Sequence, residues 1–148
     1  MRKFNKIFVI GLSRTGTTSL SHALDDLGIP ALRNIGEFHD LVNDFEKGDF
    51  SFGRIKKSKF RAYTDIPYAA YFKELDKAHE NSLFIYTKRD KQKWMKSVER
   101  WFKRITPPKP ISHMGKMRRK LYNSLSWDEN KFSETYDRHE KEVLEYYS

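Results

Sequence analysis

Apolar positions along the chain follow two rhythms in alternation. Residues 6–11, KIFVIG, carry a consecutive apolar run from Ile7 to Ile10 closed by Gly11, which predicts a strand over 6–11 buried on both faces, as in a parallel sheet. Residues 17–27 then place Leu20, Ala23, Leu24 and Leu27 three and four apart, the period of a helix, with Gly28 as its stop. The alternation continues with a short strand over 30–35, a helix over 37–46 through Phe38, Leu41, Val42 and Phe45, and a loop over 48–53. A strand over 60–65 leads to a helix with Pro67 in its first turn and the stripe Ala69, Tyr71, Phe72, Leu75 and Ala78. The run SLFIYT at 82–87 is the next strand, and Asp90 is placed to cap a helix whose inward face is Trp94, Val98, Trp101, Phe102 and Ile105. TPPKP at 106–110 breaks the pattern. Residues 111–125 and 128–147 read as two more helices, the second with Phe132, Tyr136, His139, Val143 and Tyr147 on one face.

Strands alternating with helices of this length predict right-handed βαβ units, hence an α/β fold with a parallel sheet and helices on both faces. Ligands of such sheets sit at the carboxyl ends of the strands. Three stretches fall there: 13–18 after the first strand, Asp65 after the 60–65 strand, and Arg89 after the 82–87 strand.

Composition narrows the chemistry. A chain of 148 residues fits one domain with a real core, and 38% apolar with 15% aromatic residues argues against disorder. Subtracting 20 acidic from 29 basic residues leaves +9, which favours anionic partners. There is no cysteine, which excludes disulfides, thiolate catalysis and zinc thiolate sites. The histidines form no HxxxH or HExxH pair, so no metal site is expected; His22, His79 and His139 read as surface or helix-face residues. The basic cluster Lys56, Lys57, Lys59 and Arg61 reads as a solvated face or a recruiter of anions, and Trp94, Trp101 and Trp127 as core or helix contacts. The apolar run at the start is too short for a signal peptide and nothing approaches a membrane span, so the expectation is a soluble, cytoplasmic chain.

The loop between the first strand and helix carries the strongest chemical signal. Gly11 and Gly16 have the GxxxxG spacing of a phosphate-binding loop, but Thr17 stands where an ATPase or kinase requires lysine. The cation is instead Arg14, inside the loop, and the hydroxyls of Thr15, Thr17, Thr18 and Ser19 stand as donors to anionic oxygens. An ordinary strand-to-helix connection with Thr17 as N-cap is the plainer alternative. Further along, Arg89 is suited to a bidentate phosphate contact, and Ser97 lies roughly two helical turns beyond it.

These residues resemble the sulfotransferases that use 3'-phosphoadenosine 5'-phosphosulfate. Their loop reads Lys or Arg, small, Gly, Thr, Thr, matched by Arg14, Thr15, Gly16, Thr17 and Thr18; their strand-end Arg followed eight residues later by Ser is matched by Arg89 and Ser97. A small branch of the family has GLxRTGTTSL, DxPxAxxF and RDxxxWxxSV in this order, and here stand GLSRTGTTSL, DIPYAAYF from Asp65 and RDKQKWMKSV from Arg89. The resemblance implies a P-loop-type three-layer α/β/α fold, with a central, mostly parallel sheet and a C-terminal helical cap. It divides one sulfotransferase-like domain, 1–148, into a nucleotide-binding core over 1–105 and a cap over 111–148. It implies that Ser13, Arg14, Thr15, Gly16, Thr17, Thr18 and Ser19 bind the 5'-phosphosulfate and that Arg89 and Ser97 grip the 3'-phosphate. Arg14 would neutralise the leaving oxygen, with no metal. Asp65 of Asp65-Ile66-Pro67 takes the place of the histidine in the His-x-Pro segment of cytosolic relatives, as general base; it is equally a helix cap. The family pattern continues with a further strand and helix, so the chain is expected to be C-terminally short. Lys91 departs from the proline common in the branch.

The expected activity is sulfuryl transfer to a hydroxyl or amine of a small-molecule or glycan acceptor. The alternatives are a P-loop nucleotide kinase or NTPase, and a non-catalytic module binding anions or nucleic acid; nucleic acid finds no recognition motif here.

Overall fold

The first strand, β1 (Ile7–Val9), is an inner member of a four-stranded sheet in a computed structural model that describes residues 5–33, 40–55 and 59–148. Its companions are β2 (Ala31–Leu32), β3 (Ala62–Tyr63) and β4 (Leu83–Ile85), in the order β2-β3-β1-β4. All pairings are parallel: Ile7 lies opposite both Ala62 and Leu83, and Ala31 opposite Ala62. Because β3 and β4 flank β1, the loops that follow these three strands open side by side at one end of the sheet. The strands are shorter than the apolar runs suggest, although Ile10 N–H still donates to the carbonyl of Ile85 at 2.9 Å.

The helices are α1 (Thr17–Asp26), α2 (Asp40–Glu46), α3 (Ile66–Ala70), α4 (Phe72–Ala78), α5 (Lys91–Arg104), α6 (His113–Tyr122) and α7 (Glu129–Tyr146). A 3-10 turn, Gly53–Ile55, follows the expected 48–53 loop. The expected residues 37–39 of α2, and Lys56 and Lys57 of the basic cluster, lie outside the described residues.

The period of two along each strand sorts side chains onto two unequal faces. Ile7, Val9, Ala31, Ala62 and Ile85 face α1, which contributes Leu20 and Leu24. Phe8, Ile10, Leu32, Tyr63 and Phe84 face the opposite way, into a much larger aromatic cluster shared by the other helices. Helices thus cover both faces in three layers. α6 and α7 belong to the larger layer: Met117, Leu121, Tyr122, Phe132, Tyr136 and Val143 are buried in the same cluster as the sheet. The rings of Tyr122 and Phe132 stack at 4.7 Å, and Trp94 of α5 meets Tyr136 at 5.3 Å.

Two expectations need correction. The stripe from Ala69 to Ala78 is not one helix, because the backbone turns at Tyr71 (φ −121°, ψ 27°) between α3 and α4. That turn serves two sets of partners: Tyr71 packs on Phe45 and Phe50, whereas Phe72 packs on His139 and Tyr146. His139 is not a surface residue; it is 2% exposed, and its Nε2 donates to the carbonyl of Ile10 at 2.7 Å. Burial lowers its pKa and keeps it neutral there.

Gly11, just past the end of β1, lies tight against Thr87, just past the end of β4. A Cβ on it would lie 1.8 Å from Thr87 Oγ1 and 2.5 Å from the Thr87 carbonyl oxygen. Backbone cannot give way as a flexible side chain does, so Gly11→Ala is expected to cost about 1–3 kcal/mol of stability by overpacking. Urea denaturation checks this, and a midpoint equal to wild type would contradict the close approach.

Candidate anion-binding and active site

The loop from Gly11 to Gly16 is held from both sides. Ser13 N–H donates to Tyr122 Oη of α6 at 3.1 Å, and Trp94 Nε1 of α5 donates to the Ser13 carbonyl at 2.8 Å. Thr15 Oγ1 donates to the Leu12 carbonyl at 2.6 Å and meets Thr87 Oγ1 at 2.7 Å. Positive φ at Arg14 (68°) and Gly16 (86°) curls the chain between these anchors into α1. The Thr15 hydroxyl, expected as a donor to an anion, is therefore turned inward and braces the loop against β4.

Gly16, not Thr17, is the N-cap of α1, and no side chain caps this helix. The first turn also carries no acidic residue, so its N–H groups and the positive end of its dipole are uncompensated. A cavity of about 220 Å³ lies at that spot, walled by Arg14, Gly16, Thr17, Thr18, Ser19 and Arg89. Six of the residues singled out in the sequence thus surround one space, and their chemistry is that of an anion seat.

A second cavity of about 320 Å³ adjoins it, sharing Arg14 and Arg89 and adding Lys93, Lys96, Ser97 and Arg100. Arg14 Nε donates to Ser97 Oγ at 3.3 Å, and Arg89 Nη1 is 3.4 Å from the Arg14 carbonyl. Arg14 and Arg89 are therefore a shared wall. Asp90 Oδ2 accepts from Lys93 N–H at 3.1 Å, the expected cap, and so fixes where α5 begins and where Ser97 falls. Tyr136 Oη donates to the Arg89 carbonyl at 2.5 Å, and Lys91 pairs with Asp137 at 2.7 Å, tying the strand end to α7. Lys93, Lys96 and Arg100 were not singled out from the sequence. Their spacing around Ser97, one helical face, was the available signal.

Asp65 sits at the end of β3 and accepts from Ile66 N–H at 2.8 Å as the N-cap of α3. Its φ of 103° is unusual for a residue with a Cβ and is strained. Burial pushes its pKa up from 3.8 to about 6, while the Ile66 N–H and the Arg118 guanidinium pull it back. It does not wall either cavity described above. What connects it to the loop is Tyr122, the partner of Ser13, whose own pKa is pushed to about 12 chiefly by burial and also by Asp65. Arg118, 6% exposed, lies over the rings of Phe102 at 4.8 Å and Trp101 at 5.6 Å.

Among the described residues no group of three or more His, Asp or Glu side chains could hold a metal ion. Among the same residues no helix is long and apolar enough to cross a membrane.

A parallel sheet whose inner strand feeds a curled loop into an uncapped helix N-terminus, with cations at the neighbouring strand end, is an α/β arrangement whose chemistry suits an anion. Its family is narrower than that. The chain belongs to the family described as Sulfotransferase domain, which matches residues 6–148 and so carries sulfuryl transfer as its general function. A search of curated proteins finds no match to the chain.

The raised pKa of Asp65 has a stability signature. Between about pH 4 and 6 the native carboxyl holds more proton than the unfolded one, so this group's contribution falls as pH rises, by up to roughly 3 kcal/mol. Asp65→Asn lacks that loss. The stability of the variant relative to wild type, from urea denaturation, is expected to rise between pH 4 and pH 7; a difference independent of pH would contradict the burial.

Proposed function

We propose that this chain moves the sulfuryl group of 3'-phosphoadenosine 5'-phosphosulfate to a hydroxyl or amine of a small-molecule or glycan acceptor. The observation that carries the reading is the pair of cationic cavities sharing Arg14 and Arg89, which suits a ligand anionic at both ends. The uncapped α1 N-terminus fits the 5' end, and Ser97 beside Arg89 fits the 3'-phosphate. When bound, the donor supplies an activated sulfuryl group.

The chain's own groups divide the remaining work. The N–H groups at the start of α1 and the hydroxyls of Thr17, Thr18 and Ser19 hold the anionic end in place. Arg14 neutralises charge that builds on the bridging oxygen as its bond to sulfur breaks. Thr15 and the Ser13 peptide keep the loop in shape rather than touching the ligand, and Arg89 and Ser97 fix the distal phosphate. Asp65 accepts the proton of the acceptor group as that group bonds to sulfur, which requires the acceptor atom to sit between Asp65 and the first cavity. A pKa near 6 suits this role, because the carboxylate is mostly ionised at neutral pH yet still basic.

The motif order along the chain supports a phosphosulfate over a triphosphate, since Thr17 stands where a kinase or NTPase needs its lysine. A thermal-shift comparison of adenosine 3',5'-bisphosphate with ATP, with and without magnesium, tests this. Stabilisation by the bisphosphate is expected without magnesium, and its loss in Arg89→Ala. Stabilisation only by ATP with magnesium would favour the NTPase class, and no response to either nucleotide would favour a non-catalytic module. Once an acceptor is in hand, Asp65→Asn is expected to lower turnover by roughly 10²–10⁴ with bisphosphate affinity retained. Wild-type turnover should rise with pH through about 6. An active Asp65→Asn enzyme would remove Asp65 from the chemistry.

A further inference from the structure

Cations on α5 divide into two populations. Lys91 is paired with Asp137 at 2.7 Å and Lys103 with Glu99 at 2.6 Å. Lys93, Lys96 and Arg100 make no ion pair among the described residues, and nor do Arg14 and Arg89. All five wall the second cavity, which has no acidic side chain in its lining. Like charges gathered at this range repel, and among the described residues no ion pair to these five offsets the repulsion.

The helix places these side chains around a single point. Lys93 precedes Ser97 by about 6 Å of helix rise and Arg100 follows it by about 4.5 Å, with Lys96 adjacent. Ser97 Oγ already accepts from Arg14 Nε, so its own O–H remains to donate. The row from Lys93 to Arg100 spans about 10 Å, which matches one doubly charged group ringed by long side chains rather than a track for a polymer.

We propose that Lys93, Lys96 and Arg100 complete the seat of the donor's 3'-phosphate and make the protein select a 3'-phosphorylated nucleotide over one that lacks that group. The proposal rests on the donor reading given above. It assigns the preference to three residues of α5 outside the Arg and Ser motif. Arg89 and Ser97 set the position of the phosphate, and the three added cations supply most of the discrimination.

Calorimetry on the full chain tests this with adenosine 3',5'-bisphosphate and 5'-AMP, comparing wild type with a variant carrying Lys93→Ala, Lys96→Ala and Arg100→Ala. All three positions are exposed, so the variant is expected to keep the wild-type melting profile. Bisphosphate affinity should fall by about 30-fold or more, with a weaker salt dependence, as expected on losing three charge contacts of about 0.7 kcal/mol or more each. Affinity for 5'-AMP should change by less than about threefold, and a Lys93→Arg, Lys96→Arg, Arg100→Lys variant should restore the preference. An unchanged bisphosphate preference in the alanine variant overturns the proposal and leaves the donor reading standing. Equal loss for both nucleotides also overturns it. Loss of binding to a sulfated oligosaccharide with bisphosphate affinity intact overturns it in favour of an acceptor site. Wild type that binds neither nucleotide sinks the donor reading itself.

Discussion

The peptide unit at Ser13 carries more of the architecture than its place in a short loop suggests. Its N–H is held by Tyr122 and its carbonyl by Trp94, side chains 109 and 81 residues away in sequence. Both of those residues are fully buried, and both sit in the aromatic cluster beneath the sheet. Two hydrogen bonds to rigid, packed rings therefore fix the curl that brings Arg14 round to Ser97 and leaves the start of α1 open. A loop restrained only by its own backbone would have to be ordered by the ligand, at a cost in affinity. The packing of the second layer thus reaches the site through one peptide.

Electrostatics follow the same division of the molecule. Net charge of +9 is not spread evenly in its effect, because many lysines and arginines on the surface are matched by nearby carboxylates. At the carboxyl ends of β1 and β4, Arg14 and Arg89 make no ion pair among the described residues, next to a helix N-terminus that adds its own positive potential. Asp65 stands apart from that field, raised in pKa by burial rather than lowered by a salt bridge. A carboxyl raised to about 6 and a strongly cationic cavity can coexist because Arg118 influences the carboxylate from a distance instead of pairing with it.

Much of this was legible in the sequence, and the reasons are local. Glycine at 16 and 28 marks positive φ at the two ends of α1, Asp90 caps α5, and the alternation of apolar rhythms gives the parallel sheet, all features decided within a few residues. What escaped depends on distant neighbours. Lys93, Lys96 and Arg100 look like any solvated helix face until Arg14 and Arg89 are placed opposite them. His139 reads as a helix-face residue until Ile10 offers its carbonyl, and the hydroxyl of Thr15 reads as a ligand donor until Thr87 arrives beside it. The break at Tyr71 has no glycine or proline to announce it, because competing aromatic partners cause it.

The central claim is that one nucleotide spans both cavities, with its two ends separated by Arg14 and Arg89. A crystal structure with adenosine 3',5'-bisphosphate addresses it most directly. The 5'-phosphate is expected against the backbone N–H groups of Gly16 to Ser19 and the 3'-phosphate at Ser97 between Arg89 and the α5 cations. A bisphosphate bound elsewhere, or one that leaves Ser97 without a phosphate contact, would contradict it.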